Sequence, residues 1–239
     1  MKTLLVGFFM GIQVLSAQVG IGTTAPTKTL DINGELRVRT LPTMNTSLNL
    51  LTSDANGNVG KITNAKLLKD IYFKEATGPV NYFVNTTGQF TNDNINLNLD
   101  NVVVIPARVK ATLIVNYSVP MGNTFRTYQV NGYIGIRFLR NGVEAPAGSR
   151  KFSMPNTYRN GSNNFYEVVD MVTVGTTFLE TIDNTANNSP LTITYALKGY
   201  IEQAYSATQV NYRFNMWASS GDNYNWGKGF ISTQLYIQQ

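Results

Sequence analysis

The sequence predicts an all-β protein: an N-terminal β-hairpin stalk with a short helical neck, then a C-terminal β-sandwich of the jelly-roll kind. Three observations carry that expectation. Asn, Thr, Gly and Tyr crowd the chain while Glu, Lys and Ala are sparse, which favours strands joined by tight turns. Apolar residues recur at every second position through much of the second half, the period of a half-buried strand. Asn-Gly pairs, the strongest short-range hairpin signal, include those at 33–34, 56–57, 131–132 and 141–142.

Residues 1–17 read as a secretory signal peptide. Lys2 precedes the apolar run Leu4-Leu5-Val6-Gly7-Phe8-Phe9-Met10, and Leu15-Ser16-Ala17 supplies the small residues of a cleavage site. The run is too short to span a bilayer, and no later stretch is apolar for long enough. The expected product is secreted, or displayed on the outer cell surface. Cysteine is absent, which removes a lipid-modified cysteine anchor and disulfide stapling.

Residues 18–63 form the expected stalk segment. Gly20-Ile21-Gly22, Thr23-Thr24 and Pro26 resist a helix. Leu30, Ile32, Leu36 and Val38 alternate with polar residues around Asn33-Gly34, so a small hairpin is expected there. Two short strands are marginal in water unless another surface covers their apolar face. The string V-G-I-G-T-T-x-P-x-x-x-L-D-I-N-G-x-x-R-V-R resembles a segment near the start of Bacteroidetes secreted surface proteins, and shafts of tail-fibre-like proteins. That resemblance implies an exported, fibre-like or surface-displayed protein assembling as a trimer. It implies no chemistry.

Gly20-x-Gly22-x-x-Ala25 also fits the dinucleotide-binding fingerprint, but Pro26 stands where that site requires a helix N-terminus. A second small hairpin is expected about Asn56-Gly57. Asp54, Asn56 and Asn58 mimic the start of a calcium loop, but the glycine comes too early and no Glu follows in place, so they read as a turn.

Residues 64–76 are expected to form the helical neck, because Leu67, Leu68, Ile71 and Tyr72 fall at helical spacing on one face. Gly78-Pro79 ends it, and 77–101 read as an Asn-rich linker or meander. From 102 to 239 strands follow one another. Leu113, Val115, Tyr117 and Val119 alternate, as do Ile134, Ile136 and Phe138, Tyr212, Phe214 and Met216, and Ile231, Leu235 and Ile237. This block resembles the trimeric C1q/TNF-like jelly roll in size, in following a fibre-like segment and in its final strand Gly229-Phe230-Ile231-Ser232. The resemblance implies the architecture and nothing at residue level.

The chemistry open to the chain is narrow. It has no histidine and no cysteine, which excludes His-based triads, thiol nucleophiles and the usual zinc sites. No cofactor and no metal site is expected. Glu167 and Asp170 lie three apart on one expected strand and so face opposite ways. The net charge of +5 is spread without a Lys/Arg run, so nucleic acid is not an expected partner. Trp217, Asp222, Asn223, Tyr224, Asn225 and Trp226 combine rings with amides and a carboxylate, the set a surface-glycan site needs; the same tryptophans would equally close one end of a sandwich. The strand at 165–173 is apolar on both faces, which nominates Tyr166, Val168 and Val172 as an oligomer interface. The reading is a non-enzymatic, secreted surface or fibre protein for adhesion or structure. A lectin-like module and a polymerising filament subunit are the alternatives.

Overall fold

The computed structural model describes residues 18–37, 39–40, 51–62, 65–123, 130–154, 171–206, 209–215 and 227–238. The chain divides into two compact units, Met1–Leu48 and Asn49–Gln239.

In the first unit, β1 (Val19–Ile21) and β2 (Leu30–Ile32) pair in parallel, with Val19 opposite Leu30 and Ile21 opposite Ile32. The expected hairpin about Asn33-Gly34 does not form. The Asn33 backbone N–H bonds the Ile21 carbonyl at 2.9 Å, and its side-chain Nδ2 bonds the Gly22 carbonyl at 3.3 Å. Asn33 therefore closes the parallel pair, and residues 35–37 run on outside any strand. Gly22 sits at φ +74°, and a Cβ there would lie 2.5 Å from the Asn33 carbonyl oxygen, so glycine is required. Asp31 holds the intervening loop by accepting from the Thr27 N–H at 2.8 Å and the Thr27 hydroxyl at 3.0 Å.

The second unit begins with the expected small hairpin. β3 (Leu51–Ser53) and β4 (Val59–Lys61) pair antiparallel around Asn56-Gly57. The Asp54 carboxylate accepts from the Asn56 and Asn58 backbone N–H groups at 2.9 Å each, an Asx turn.

A two-sheet β-sandwich follows, and it starts well before residue 102. Its strands are β5 (Leu67–Glu75), β6 (Val80–Val84), β7 (Phe90–Ile105), β8 (Lys110–Asn123), β9 (Val130–Arg140), β10 (Val143–Glu144), β11 (Arg150–Ser153), β12 (Met171–Asp183), β13 (Leu191–Ser206), β14 (Val210–Phe214) and β15 (Phe230–Gln238). The first sheet runs β10-β9-β13-β7, with β11 also on β9. The second runs β5-β15-β8-β14-β6, with β12 on the far edge of β8. All pairs within both sheets are antiparallel.

The helical neck is a strand. β5 pairs with β15 from Leu67 opposite Ile237 to Glu75 opposite Phe230. Its register slips between Leu68 and Asp70, leaving Lys69 as a bulge. That extra residue breaks the alternation and gives the apolar positions their helical spacing. The linker at 77–101 is likewise mostly sheet, filled by β6 and the first part of β7. In β7 the asparagines at 94, 96 and 98 are exposed and Asn92 is half-buried opposite Ile201, while Ile95, Leu97 and Leu99 are buried. Asn98 takes φ +56° at a register shift, a conformation Asn tolerates better than most residues.

The core lies between the sheets. Leu113, Val115, Tyr117 and Val119 of β8 meet Ile134, Ile136 and Phe138 of β9, Ile193, Tyr195 and Leu197 of β13, and Ile231, Leu235 and Ile237 of β15. Asn141-Gly142 forms the tight β9–β10 turn with φ +49° and +80°, as a type I′ turn requires. Asn131-Gly132 lies inside β9 instead: a Cβ on Gly132 would lie 2.0 Å from the Glu202 carbonyl oxygen on β13. Buried Asn101 crosses between sheets, its Nδ2 within 3.4 Å of the carbonyls of Tyr72 and Ile231 and the Thr233 hydroxyl.

Candidate functional site: the uncharged outer face of the second sheet

Side chains of a strand alternate between faces, and directly paired residues share one. With Leu113, Val115 and Tyr117 of β8 turned inward, Thr112, Ile114, Asn116 and Ser118 face out. The pairings extend these positions into cross-strand rows. Phe73, Ser232, Asn116 and Thr177 form one, Ile71, Gln234, Ile114 and Leu179 the next, and Leu68, Tyr236, Thr112 and Thr181 a third.

None of these residues is charged. The flanks are apolar and open: Leu68 is 50%, Ile71 54%, Phe73 62% and Leu179 63% exposed. Phe73 stacks on Phe230 with ring centroids 5.8 Å apart, and the Thr177 hydroxyl donates to Asn116 Oδ1 at 2.6 Å. Charge returns at the ends, where Lys228 Nζ lies 3.2 Å from Glu75 and Lys110 stands opposite Asp183. On the edge strand, Lys69 and Asp70 fall at the bulge.

The first sheet's outer face differs. Arg137 pairs with Glu144 at 2.9 Å and with Asp93 at 3.0 Å, and Lys151 pairs with Glu202 at 3.2 Å. Lys151 Nζ also sits 3.9 Å from the centroid of the Tyr200 ring, and its bond with Tyr200 raises the ammonium above its ordinary range. The first sheet carries ion pairs across its outer face, whereas the three rows of the second hold none among the described residues. Depletion of charge with exposed aromatic and aliphatic groups is the composition of an interface core.

Among the described residues the titratable groups that depart most from ordinary values are structural phenols. Burial pushes Tyr117 up to about 12, and its hydroxyl donates to the Gly148 carbonyl at 2.7 Å. Burial also raises Tyr195 and Tyr212, whose hydroxyls donate to Glu180 and to Gln203. Among the described residues no group of three or more His, Cys, Asp or Glu side chains could hold a metal ion. No helix among them is long and apolar enough to cross a membrane.

The glycan candidates Trp217, Asp222, Asn223, Tyr224, Asn225 and Trp226 lie outside the described residues, as do Tyr166 and Val168 and the carboxylates Glu167 and Asp170. Val172 is described, and it is not on an outer face. It pairs with fully buried Met121 and packs against the core, so its side chain belongs to the space between the sheets. Residues 68, 71 and 73 were hidden by the helical spacing of β5. Leu179, alternating with Thr177 and Thr181, is the one readable signal of an open apolar position on β12.

No family model matches the chain, and no curated protein does. Among solved structures it is similar to a chain from the infectious bursal disease virus Gt strain. That match is 12% identical with a TM-score of 0.29, over 83% of this chain and 46% of that one. A chain of the infectious bursal disease virus VP2 subviral particle matches at 8% identity and a TM-score of 0.25, over 83% of this chain and 46% of that one. Dimeric latent PorU from Porphyromonas gingivalis matches at 11% identity and a TM-score of 0.23, over 79% of this chain and 14% of that one. The chain thus spans less than half the length of these proteins.

Proposed function

We propose that this is a non-enzymatic, exported surface or fibre protein whose β-sandwich forms a self-assembling knob, three copies to an assembly. The observation that carries the proposal is the uncharged outer face of the second sheet, with Phe73, Ile71, Leu68 and Leu179 open to solvent. Burying such a face against another copy removes apolar surface from water without stranding a charge. The N-terminal unit is consistent with assembly as well: Val19, Ile21 and Leu30 are each more than half exposed, and two three-residue strands have no core of their own to hide them. The trimer and the exported location rest on the resemblance of the VGIGTT-x-P segment to fibre and surface proteins.

Native mass spectrometry of residues 18–239 at micromolar concentration tests the reading. A discrete trimer is expected. A monomer at every concentration overturns self-assembly, and an open ladder of masses makes the chain a filament subunit instead. Binding on a glycan array, lost in Tyr224→Ala, would add the lectin function.

A further inference from the structure

Between the sheets, where β8 and β12 of one face β9 and β11 of the other, the sandwich holds a cavity of about 320 Å³. Its interior is built by alternation: Met121 pairs with Val172, and Ile134 pairs with Phe152. Met121 and Ile134 are buried, whereas Phe152 is 42% exposed and Met171 and Val172 are half-buried, so the cavity opens to solvent on the side of β11 and β12. Met121, Met154 and Met171, all the methionines among the described residues, line it. Unbranched thioethers rearrange easily and suit walls that adapt to a guest.

One wall residue does not fit an apolar filling. Asn123, only 5% exposed, lines the cavity, and its Oδ1 is buried with no hydrogen-bond partner. Buried polar atoms are nearly always paired, so an orphan of this kind needs an explanation. Water explains it poorly. A site of this size has the liquid volume of about ten waters, yet waters need two to four polar partners each and these walls are mostly apolar. Among the described residues no ionisable side chain lines the cavity, so a charged guest would gain no counter-ion from them for the hydration it loses.

We propose that this cavity binds a neutral, mainly apolar small molecule carrying a hydroxyl or N–H donor, which the Asn123 Oδ1 accepts. The apolar body packs against the methionines, Ile134 and Phe152, and the single donor fixes its orientation. The volume lies at the small end of the range for ligand sites. The site stands apart from the outer sheet face and does not depend on the assembly state.

A matched pair of probes tests this on residues 18–239: 4-heptylphenol, and heptylbenzene, which has the same body without the donor. Calorimetric titration should find one saturable site per chain for the phenol and binding roughly tenfold weaker for the hydrocarbon. Asn123→Leu removes the acceptor at similar volume, and should bring the two probes to equal affinity while raising the melting temperature. Met171→Trp should fill the cavity and abolish binding of both. No saturable binding to the wild-type chain overturns the proposal, as does equal binding of the two probes. Phenol binding that survives Met171→Trp overturns the assignment to this cavity. The wild-type comparison stands alone, so a variant that fails to fold does not rescue the idea.

Discussion

Arg140 on β9 of the first sheet places its Nε 2.9 Å from both carboxylate oxygens of Glu180 on β12 of the second. The same carboxylate accepts the hydroxyl of buried Tyr195, and the bond to Glu180 raises the Arg140 guanidinium above its ordinary value. Beneath this clasp, the Phe138 ring lies 4.9 Å from Phe178 and 5.7 Å from Tyr195, centroid to centroid. An ion pair at a sandwich margin is worth little as a pair, since its arginine is 36% exposed. Its larger consequence is that Glu180 satisfies a buried phenol.

Removing that carboxylate should therefore cost more than removing its cation. Glu180→Ala leaves the Tyr195 hydroxyl without its acceptor and is expected to destabilise the chain by about 2 kcal/mol, whereas Arg140→Met should cost under about 1 kcal/mol. Urea unfolding of both variants measures the difference. Equal losses would mean that the ion pair, not the phenol, sets the value of the contact.

Alkaline pH should unfold the sandwich through its phenols. Tyr117, pushed up to about 12, and Tyr195 and Tyr212, raised further by burial, keep their protons in the folded chain after unfolded tyrosines have begun to ionise near 10. A raised folded value means that stability is fully present below pH 10 and is lost as pH climbs through the folded values. The loss should begin near pH 10 and steepen toward about 1.4 kcal/mol per pH unit for each phenol that ionises only on unfolding. Tyr117→Phe should flatten the slope. Absorbance at 295 nm, followed with unfolding, should show ionisation and loss of structure together.

The sandwich was legible where strands keep strict period 2. Leu113, Val115, Tyr117, Val119, Ile134, Ile136 and Phe138 alternate in the sequence and are buried in the fold. It was illegible where a bulge or a local bonding habit overrode the pattern. The bulge at Lys69 shifts the phase of β5, so a strand carries helical spacing. In β7 the asparagines from 92 to 98, a residue type that disfavours strands on average, are tied by local bonds: Asn94 N–H donates to Asn92 Oδ1 at 3.0 Å and Asn98 N–H to Asn96 Oδ1 at 3.2 Å. The uncharged outer face was illegible for a different reason. Which edge strand lies beside which is a property of topology, and residues 68–73 meet 230–237 only after the chain has closed on itself.

Asn101 is the polar pin of that closure. Its Nδ2 reaches acceptors on both β5 and β15 from the opposite sheet. Asn101→Leu is nearly isosteric but leaves the Thr233 hydroxyl and two carbonyls facing a methyl group, so a loss of about 1–3 kcal/mol is expected. Hydrogen exchange should then quicken first along β5, the edge strand, rather than in β8. Uniform quickening across both sheets would contradict the pin.

In the N-terminal unit the Thr27 backbone N–H, and then its hydroxyl, hold the Asp31 carboxyl below its ordinary value. A lowered value contributes order above about pH 4 and loses it as pH falls through the folded value. Asp31→Asn keeps an acceptor and should preserve the parallel β1–β2 pair at neutral pH, while Asp31→Ala should free it. Protection of the Thr27 and Asn33 amides, read by NMR, distinguishes the variants. Protection that survives in Asp31→Ala would show that the glycine geometry alone holds the loop.

The outer face of the second sheet gives the prediction with the most consequence for function. Phe73 and Leu179 lie on opposite flanks of that face, more than 60% exposed, so neither contributes much to the core. Phe73→Lys and Leu179→Lys should therefore change the melting temperature of the isolated knob little, within the roughly 0.5 kcal/mol usual for surface substitutions. Combined, they set two desolvated cations into a surface of aliphatic, aromatic and uncharged polar side chains, with no carboxylate in the rows to receive them. The assembly should fall apart into folded monomers. Tyr133→Lys on the ion-paired first sheet, also exposed, serves as the control and should leave the assembly intact. If the double variant keeps the oligomeric mass of the wild type, or if Tyr133→Lys dissociates it instead, the face that joins the copies is not the uncharged one.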